Sequence, residues 1–144
     1  MIPYADTSLI TALITSEQRS AAARDWLIAH GGSMLTSEWA RTEVASALSI
    51  KQRRGELDVA GRALAERALE QMIARGLDIV AVVTEDFRRA ADYLRPHTRN
   101  LRGADALHIA VAGRLGARLH SLDDDQVEAA RQLGLDAVVP VPKE

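Results

Sequence analysis

Residues 101–115, LRGADALHIAVAGRL, form an apolar stretch that contains a single acidic side chain. From Gly103 onward, a helix built from this stretch is apolar around almost its whole circumference, and such a helix is normally buried. Asp105 lies inside it, although burial of an unpaired carboxylate is very costly in free energy. The helix dipole stabilises an anion in the first turn by only about 0.3–1 kcal/mol at exposed sites. The sequence therefore predicts a cation next to Asp105.

Length and composition indicate one compact globular domain, which we expect to span residues 1–144. Hydrophobic residues make up 47% of the chain, yet no apolar run reaches the roughly 18 residues of a membrane span. The absence of cysteine excludes disulfides, thiolate metal sites and cysteine nucleophiles, and it favours a cytoplasmic location. Because the net charge is only −2, binding to nucleic acid would depend on local basic patches.

Short apolar segments alternate with longer helical patterns along the chain. This alternation predicts an α/β fold with a mostly parallel sheet of four or five strands, covered by helices on both faces. Such sheets carry their sites beyond the carboxyl ends of the strands. The predicted strands are 2–5, 33–36, 78–83, 118–122 and 137–139. The predicted helices are 7–14, 17–30, 37–54, 57–75, 84–95, 103–115 and 125–134.

Asp6 and Glu43 are acidic residues at positions that are expected to face the interior or a site rather than solvent. Asp6 directly follows the first predicted strand, at a carboxyl end. The alternative role is that of a helix N-cap, although Thr7 or Ser8 could fill it equally well. Glu43 falls within the apolar arc of its predicted helix and is expected to point inward. Its alternative explanation is an arginine partner, such as Arg41.

The acidic run at residues 123–125 follows the fourth predicted strand. Asp125 and Glu128 have the spacing of a capping box, so we assign Asp125 to the start of the next helix. Asp124 is assigned to solvent. Asp123, which is nearest to the strand, remains as the candidate site residue.

Four carboxylates, those of Asp6, Glu43, Asp105 and Asp123, are thus expected near the same edge of the sheet. Several carboxylates close together cannot all ionise without a counter-charge. An all-oxygen cluster in a chain without cysteine selects a hard cation such as Mg²⁺ or Mn²⁺. This ion would explain how Asp105 is tolerated in an apolar helix.

Four motifs carry a resemblance to a known family: YADTSLI (4–10), SEWARTEVASAL (37–48), LRGADALHIA (101–110) and LHSLDDD (119–125). In this order, over nearly the whole chain, they resemble the PIN-domain ribonucleases, in particular the VapC-type toxins of bacterial toxin–antitoxin pairs. The resemblance implies a three-layer α/β/α sandwich and a metal-dependent endoribonuclease activity. It also implies a homodimer and inhibition by a small cognate antitoxin that binds near the active site.

The resemblance also implies roles for individual residues. Asp6 and Asp105 would be the principal metal ligands, with Glu43 and Asp123 completing the acidic cluster. Ser121 and Thr7 would be polar neighbours of these ligands. The ion would polarise the scissile phosphate and activate a water molecule, and Glu43 would orient that water or act as a general base. Pro3, inside the first predicted strand, departs from an ideal strand sequence unless it is the first strand residue.

Two basic segments are candidates for contact with RNA phosphates, which dominate nucleic-acid affinity. They are KQRRG (51–55) and RPHTRNLR (95–102), and the candidate residues are Arg99, Arg102, Lys51 and Arg54. The alternative is that these charges form a solvated face.

Other readings of the chain stay open at this point. The acids could serve an RNA-processing nuclease without an antitoxin, or a phosphoesterase that acts on DNA. A third possibility is a non-catalytic binding module, in which the acids cap helices and pair with arginines. The four histidines form no zinc motif, and we interpret His108 as a packed or hydrogen-bonded core residue.

Overall fold

The computed structural model describes residues 1–141 and shows a sheet of five parallel strands. The strand order is β3-β2-β1-β4-β5. The strands are β1 (Pro3–Ala5), β2 (Met34–Ser37), β3 (Leu77–Val80), β4 (Arg118–His120) and β5 (Ala137–Val138). The end of the predicted domain, residues 142–144, lies outside the described residues.

Seven helices connect and flank these strands in the described part of the chain. They are α1 (Thr7–Ile14), α2 (Ser20–His30), α3 (Glu38–Arg53), α4 (Val59–Ala74), α5 (Thr84–Leu94), α6 (Gly103–Arg114) and α7 (Asp124–Gln132). Every predicted helix and strand is present, so the α/β prediction is confirmed. Within residues 1–141, no helix is long and apolar enough to cross a membrane.

The sheet separates two apolar layers, and the central strand β1 contributes to both. Because successive strand residues point to opposite faces, Tyr4 packs with α6 and α7, whereas Ala5 packs with α1 to α4. Both side chains are fully buried. The predicted three-layer α/β/α sandwich is therefore the observed architecture.

Several boundaries differ from the prediction for local reasons. Strand β3 ends at Val80 rather than at residue 83, because the backbone N–H of Val83 is held by the Asp86 carboxylate at the start of α5 (2.9 Å). Pro3 is the first residue of β1, where a missing N–H is tolerated in a sheet.

Helix α6 is buried as its sequence predicts, with residues 106–112 all buried. An ion pair fixes its C-terminal end to α5, since Arg114 donates to both carboxylate oxygens of Asp86 at 2.8 and 3.0 Å. Asp86 itself is fully buried. The same helix carries Asp105 in its first turn, at the opposite end.

Helix α7 is capped by a different acid from the one predicted. The Asp123 carboxylate accepts hydrogen bonds from the backbone N–H groups of Asp125 (3.0 Å) and Gln126 (3.4 Å). The assignment of the cap to Asp125 was wrong, because α7 begins at Asp124, one residue earlier than the predicted helix.

Candidate active site

A cleft of about 490 Å³ opens beyond the carboxyl ends of β1 and β4. All four predicted acids line it: Asp6, Glu43, Asp105 and Asp123. They come from the end of β1, from α3, from α6 and from the end of β4. We call this cleft, with its four carboxylates, the acidic cleft.

Asp6 is held rigidly at the floor of the acidic cleft and is 3% exposed. Its Oδ1 accepts hydrogen bonds from the Ser8 hydroxyl (2.7 Å) and the Leu9 backbone N–H (3.1 Å). Its Oδ2 accepts one from the Ser121 hydroxyl (2.6 Å). Asp6 therefore fills both roles considered for it, because it caps α1 and also faces the site. Burial raises its pKa, despite these hydrogen bonds and the nearby His108.

Asp105 has a strongly raised pKa and lies near other negative charges in the acidic cleft. Burial and the negative charge of Asp123 raise its pKa to about 6. The cation next to it in this structure is Arg102, whose Nε lies 3.7 Å from Oδ2 of Asp105. The Arg102 side chain is 84% exposed, so solvent screens the interaction. Since the pKa stays raised, Arg102 leaves part of the negative charge uncompensated.

Glu43 points into the site, but its partners are not the arginine considered from sequence. Its Oε1 accepts a hydrogen bond from the Thr7 hydroxyl (2.7 Å) and is also bonded to Nε2 of His108. Arg41 pairs instead with Glu38 and Glu70 on the solvent side. Burial raises the pKa of Glu43, but the hydrogen bonds from His108 and Thr7 and the charges of His108 and Arg102 together outweigh burial and hold it below its ordinary value.

Cationic side chains lie at the rim of the acidic cleft. Lys51, Arg54 and Arg102 line it, as does Arg19, which the sequence analysis missed because no motif surrounds it. Lys51 is 3.0 Å from Glu17. Arg99 is not brought to the cleft, since its guanidinium donates to the backbone carbonyl of Tyr93 (2.6 Å).

Comparison with known proteins decides the family. The sequence matches the PIN domain family over residues 4–132, which is most of the chain. The chain belongs to the PIN-domain family. It is 34% identical over 140 residues to ribonuclease VapC46 of Mycobacterium tuberculosis, covering 95% of this chain and 96% of that protein.

Solved structures share the PIN fold. One is VapC20 of M. tuberculosis, described as a sarcin–ricin loop cleaving toxin, with a TM-score of 0.70, 21% identity, and coverage of 88% of this chain and 94% of that one. Another is a toxin–antitoxin complex from Klebsiella pneumoniae, with a TM-score of 0.64, 17% identity, and coverage of 99% and 100%. The resemblance stated from the motifs is confirmed.

The side chains in the acidic cleft of this PIN domain offer the type of ligand atom that a hard divalent cation prefers. All four acids offer carboxylate oxygens, the ligands that hard divalent cations prefer. Within residues 1–141, Oδ2 of Asp6 accepts one hydrogen bond, from Ser121, where a carboxylate oxygen can accept two. As the side chains are placed, however, residues 1–141 contain no group of three His, Asp or Glu that is ready to hold a metal ion.

Two further residues of this PIN domain contribute to the site beyond those predicted. Ser8 bridges the ends of β1 and β4, because its hydroxyl donates to Asp6 and accepts from the backbone N–H of Leu122 (2.9 Å). His108 is buried and hydrogen-bonded, as interpreted from sequence, but it also contacts Glu43 directly. Its position three residues after Asp105 was the available signal for a role in the site.

Proposed function

We propose that this PIN domain is a metal-dependent endoribonuclease and the toxin of a bacterial toxin–antitoxin pair. The observation that carries the proposal is the convergence of four carboxylates, from segments far apart in sequence, on a cleft with a cationic rim. The 34% identity to a protein named ribonuclease VapC46 supports the choice of RNA as substrate.

Asp6, Asp105 and Asp123 are the residues that would hold the metal. A bound Mg²⁺ or Mn²⁺ polarises a phosphate and lowers the pKa of a coordinated water molecule. The raised pKa values of Asp6 and Asp105 support this assignment, because they indicate negative charge that the protein alone does not compensate.

Glu43 is the candidate residue for orienting the attacking water, with general-base action as the alternative role. Its lowered pKa keeps the carboxylate ionised at neutral pH, where it can accept a hydrogen bond from the water at the cleft, although the same shift makes it a weak proton acceptor. Thr7 supports Glu43 with a hydrogen bond, and Ser121 supports Asp6 in the same way.

The rim supplies the contacts with the RNA backbone. Arg102, Arg54 and Lys51 lie around the acidic cleft, where they can bind phosphates on either side of the cleaved bond. Aromatic residues make up only 3% of the chain, and none lines the cleft within residues 1–141. Recognition therefore depends on phosphate contacts more than on stacking of bases.

The proposed partners are a small cognate antitoxin and a second copy of the chain. The structural similarity to a toxin–antitoxin complex supports the antitoxin. A short gene directly upstream that encodes a small DNA-binding protein is expected, and light scattering of the purified protein is expected to give the mass of a dimer.

Cleavage of total RNA tests the proposal directly. Wild-type protein is expected to cut RNA with Mg²⁺ or Mn²⁺ and not with EDTA, whereas Asp6→Asn is expected to be inactive. Mapping of the cut ends would identify the substrate, and a single-stranded DNA arm would reveal a deoxyribonuclease. A binding module without catalysis would show no cutting and no saturable Mn²⁺ binding in calorimetry.

A further inference from the structure

A buried hydrogen-bonded chain runs from the core of the domain to the acidic cleft. It passes from Ser37 through Tyr4 and His108 to Glu43. The Tyr4 hydroxyl is 3.0 Å from Oγ of Ser37 and 2.7 Å from Nδ1 of His108. On the other side of the ring, Nε2 of His108 is bonded to Oε1 of Glu43. Ser37, Tyr4 and His108 are at most 1% exposed.

The hydrogen positions in this chain follow from the partners of Thr7. The single hydroxyl hydrogen of Thr7 is donated to Glu43, so at 3.1 Å from Nε2 of His108 the Thr7 oxygen accepts. Nε2 also faces a carboxylate oxygen, which only accepts. Nε2 therefore carries a hydrogen and directs it between Glu43 and Thr7.

The imidazole has little freedom to move. It is packed in the most buried part of α6, and the Tyr4 ring meets it edge-on at 5.7 Å between centroids. Glu43, by contrast, has three rotatable bonds, and its side chain is 22% exposed where it lines the acidic cleft. The hydrogen bonds from His108 and Thr7 both hold Oε1, and the rigid imidazole thereby restricts the directions in which Oε2 can point.

We propose that His108, held by Tyr4, is a positioning residue that presents Oε2 of Glu43 to the acidic cleft. Both hydrogen bonds to Glu43 end on Oε1, and within residues 1–141 no hydrogen bond to Oε2 accompanies them. His108 occupies one oxygen of the carboxylate and thereby leaves the second for a water or the substrate. This inference rests on the proposed nuclease function, in which Glu43 accepts or orients a proton.

A double-mutant cycle on RNA cleavage tests the inference. His108→Phe keeps a ring of similar size but removes both nitrogens, and we expect kcat to fall roughly ten- to a hundredfold with KM nearly unchanged. His108→Gln, whose amide can still donate to Glu43, should recover part of the rate. In a Glu43→Gln background, His108→Phe should cause no further loss, because His108 acts only through Glu43.

Two control variants separate positioning from general loss of stability. Leu107→Ala removes a buried side chain next to His108 that packs against α5, so it should lower the melting temperature but keep kcat. Tyr4→Phe should lower kcat, whereas Tyr93→Phe, the same change outside this chain of contacts, should not.

Three results would overturn the inference. One is a normal kcat for His108→Phe, and another is a further large loss when His108→Phe is added to Glu43→Gln. The third comes from crystal structures of the wild type and His108→Phe, and it does not depend on activity. If the Glu43 carboxylate has the same position in the variant as in the wild type, the inference is rejected, whether or not the wild type cuts RNA. Failure of the wild type to cut RNA would instead reject the proposed function.

Discussion

The Ser121 hydroxyl donates a 2.6 Å hydrogen bond to Oδ2 of Asp6 and so joins the ends of the neighbouring strands β1 and β4. Ser121 is fully buried and also accepts from the backbone N–H of Asp123 (3.0 Å). One side chain thus sets the positions of two of the proposed metal ligands.

Replacement of Ser121 by alanine is expected to weaken metal binding. The change leaves a buried carboxylate oxygen and the Asp123 N–H without their partner, which costs about 1.5–3 kcal/mol for a hydrogen bond to a charged group. We expect a lower melting temperature and a weaker Mn²⁺ affinity in calorimetry. An affinity equal to that of the wild type would show that Ser121 does not orient Asp6.

Asp6→Asn is expected to abolish cleavage without damaging the fold. Removal of a metal ligand should leave no metal-dependent cutting above background, because the ion that activates the water is then not held. Asn is also a good N-cap, and the change removes a buried carboxylate whose pKa is raised, so the melting temperature without metal should stay equal or rise. Mn²⁺ should raise the melting temperature of the wild type but not of Asp6→Asn, because only a ligand that binds the native state stabilises it.

The contribution of Asp105 to the stability of the metal-free protein should increase as the pH is lowered from about 7 toward 4. The pKa of Asp105 is about 6 in the folded chain, against an ordinary value of 3.8, so in this range the folded state binds a proton that the unfolded state does not. The stabilisation is complete below the unfolded pKa and is lost as the pH rises through 6. Thermal unfolding in EDTA should show this contribution as a difference in pH slope between the wild type and Asp105→Asn, because His120 and Glu43, whose pKa values are lowered, act in the opposite direction.

Arg102→Gln is expected to weaken RNA binding with little effect on stability, since the side chain is 84% exposed. KM should rise, and the dependence of log K on log salt should lose about one unit of slope for a lost phosphate contact. Arg89→Gln, an exposed arginine of α5, is the matched control and should change neither quantity. Arg99→Gln should mainly lower stability, because its guanidinium is bonded to the Tyr93 carbonyl. For the Arg102 prediction, equal effects of Arg102→Gln and the control Arg89→Gln on KM would argue against a specific contact between Arg102 and a phosphate.

Arg114→Met is expected to destabilise the domain by on the order of 3 kcal/mol. The variant leaves the Asp86 carboxylate buried without its ion pair, while the methionine replaces the aliphatic part of the side chain. Urea denaturation would measure the loss. An unchanged free energy of unfolding in the variant would mean that solvent reaches Asp86. It would also show that the ion pair between Arg114 and Asp86 does not hold α6 in place.

Much of the fold could be predicted because its signals are local. The apolar circumference of α6 requires a buried helix, and the alternation of short strands with helices requires helices on both faces of a parallel sheet. The rule that sites lie at strand carboxyl ends then placed Asp6 and Asp123 correctly at the acidic cleft. The helical periodicity did the same for Glu43, which points inward from α3.

The structure differs from the predictions where several neighbouring residues could play the same part. Asp123 and Asp125 are both acceptable caps, and the choice between them depends on where β4 ends and α7 begins, which local patterns place only to within a few residues. Arg99 and Arg102 are similar in sequence context, but the turn before α6 directs Arg99 toward Tyr93 and leaves Arg102 at the cleft.

The sequence by itself determined the order of the elements, the burial of α6 and the four acids that meet at the sheet edge, because periodicity and strand ends depend on residues close along the chain. Only the tertiary structure decided the partners of those acids. Glu43 is bonded to His108, 65 positions away, and Asp6 to Ser121, 115 positions away. Hydrogen bonds require a particular distance and direction between side chains, and the packing of distant elements sets both.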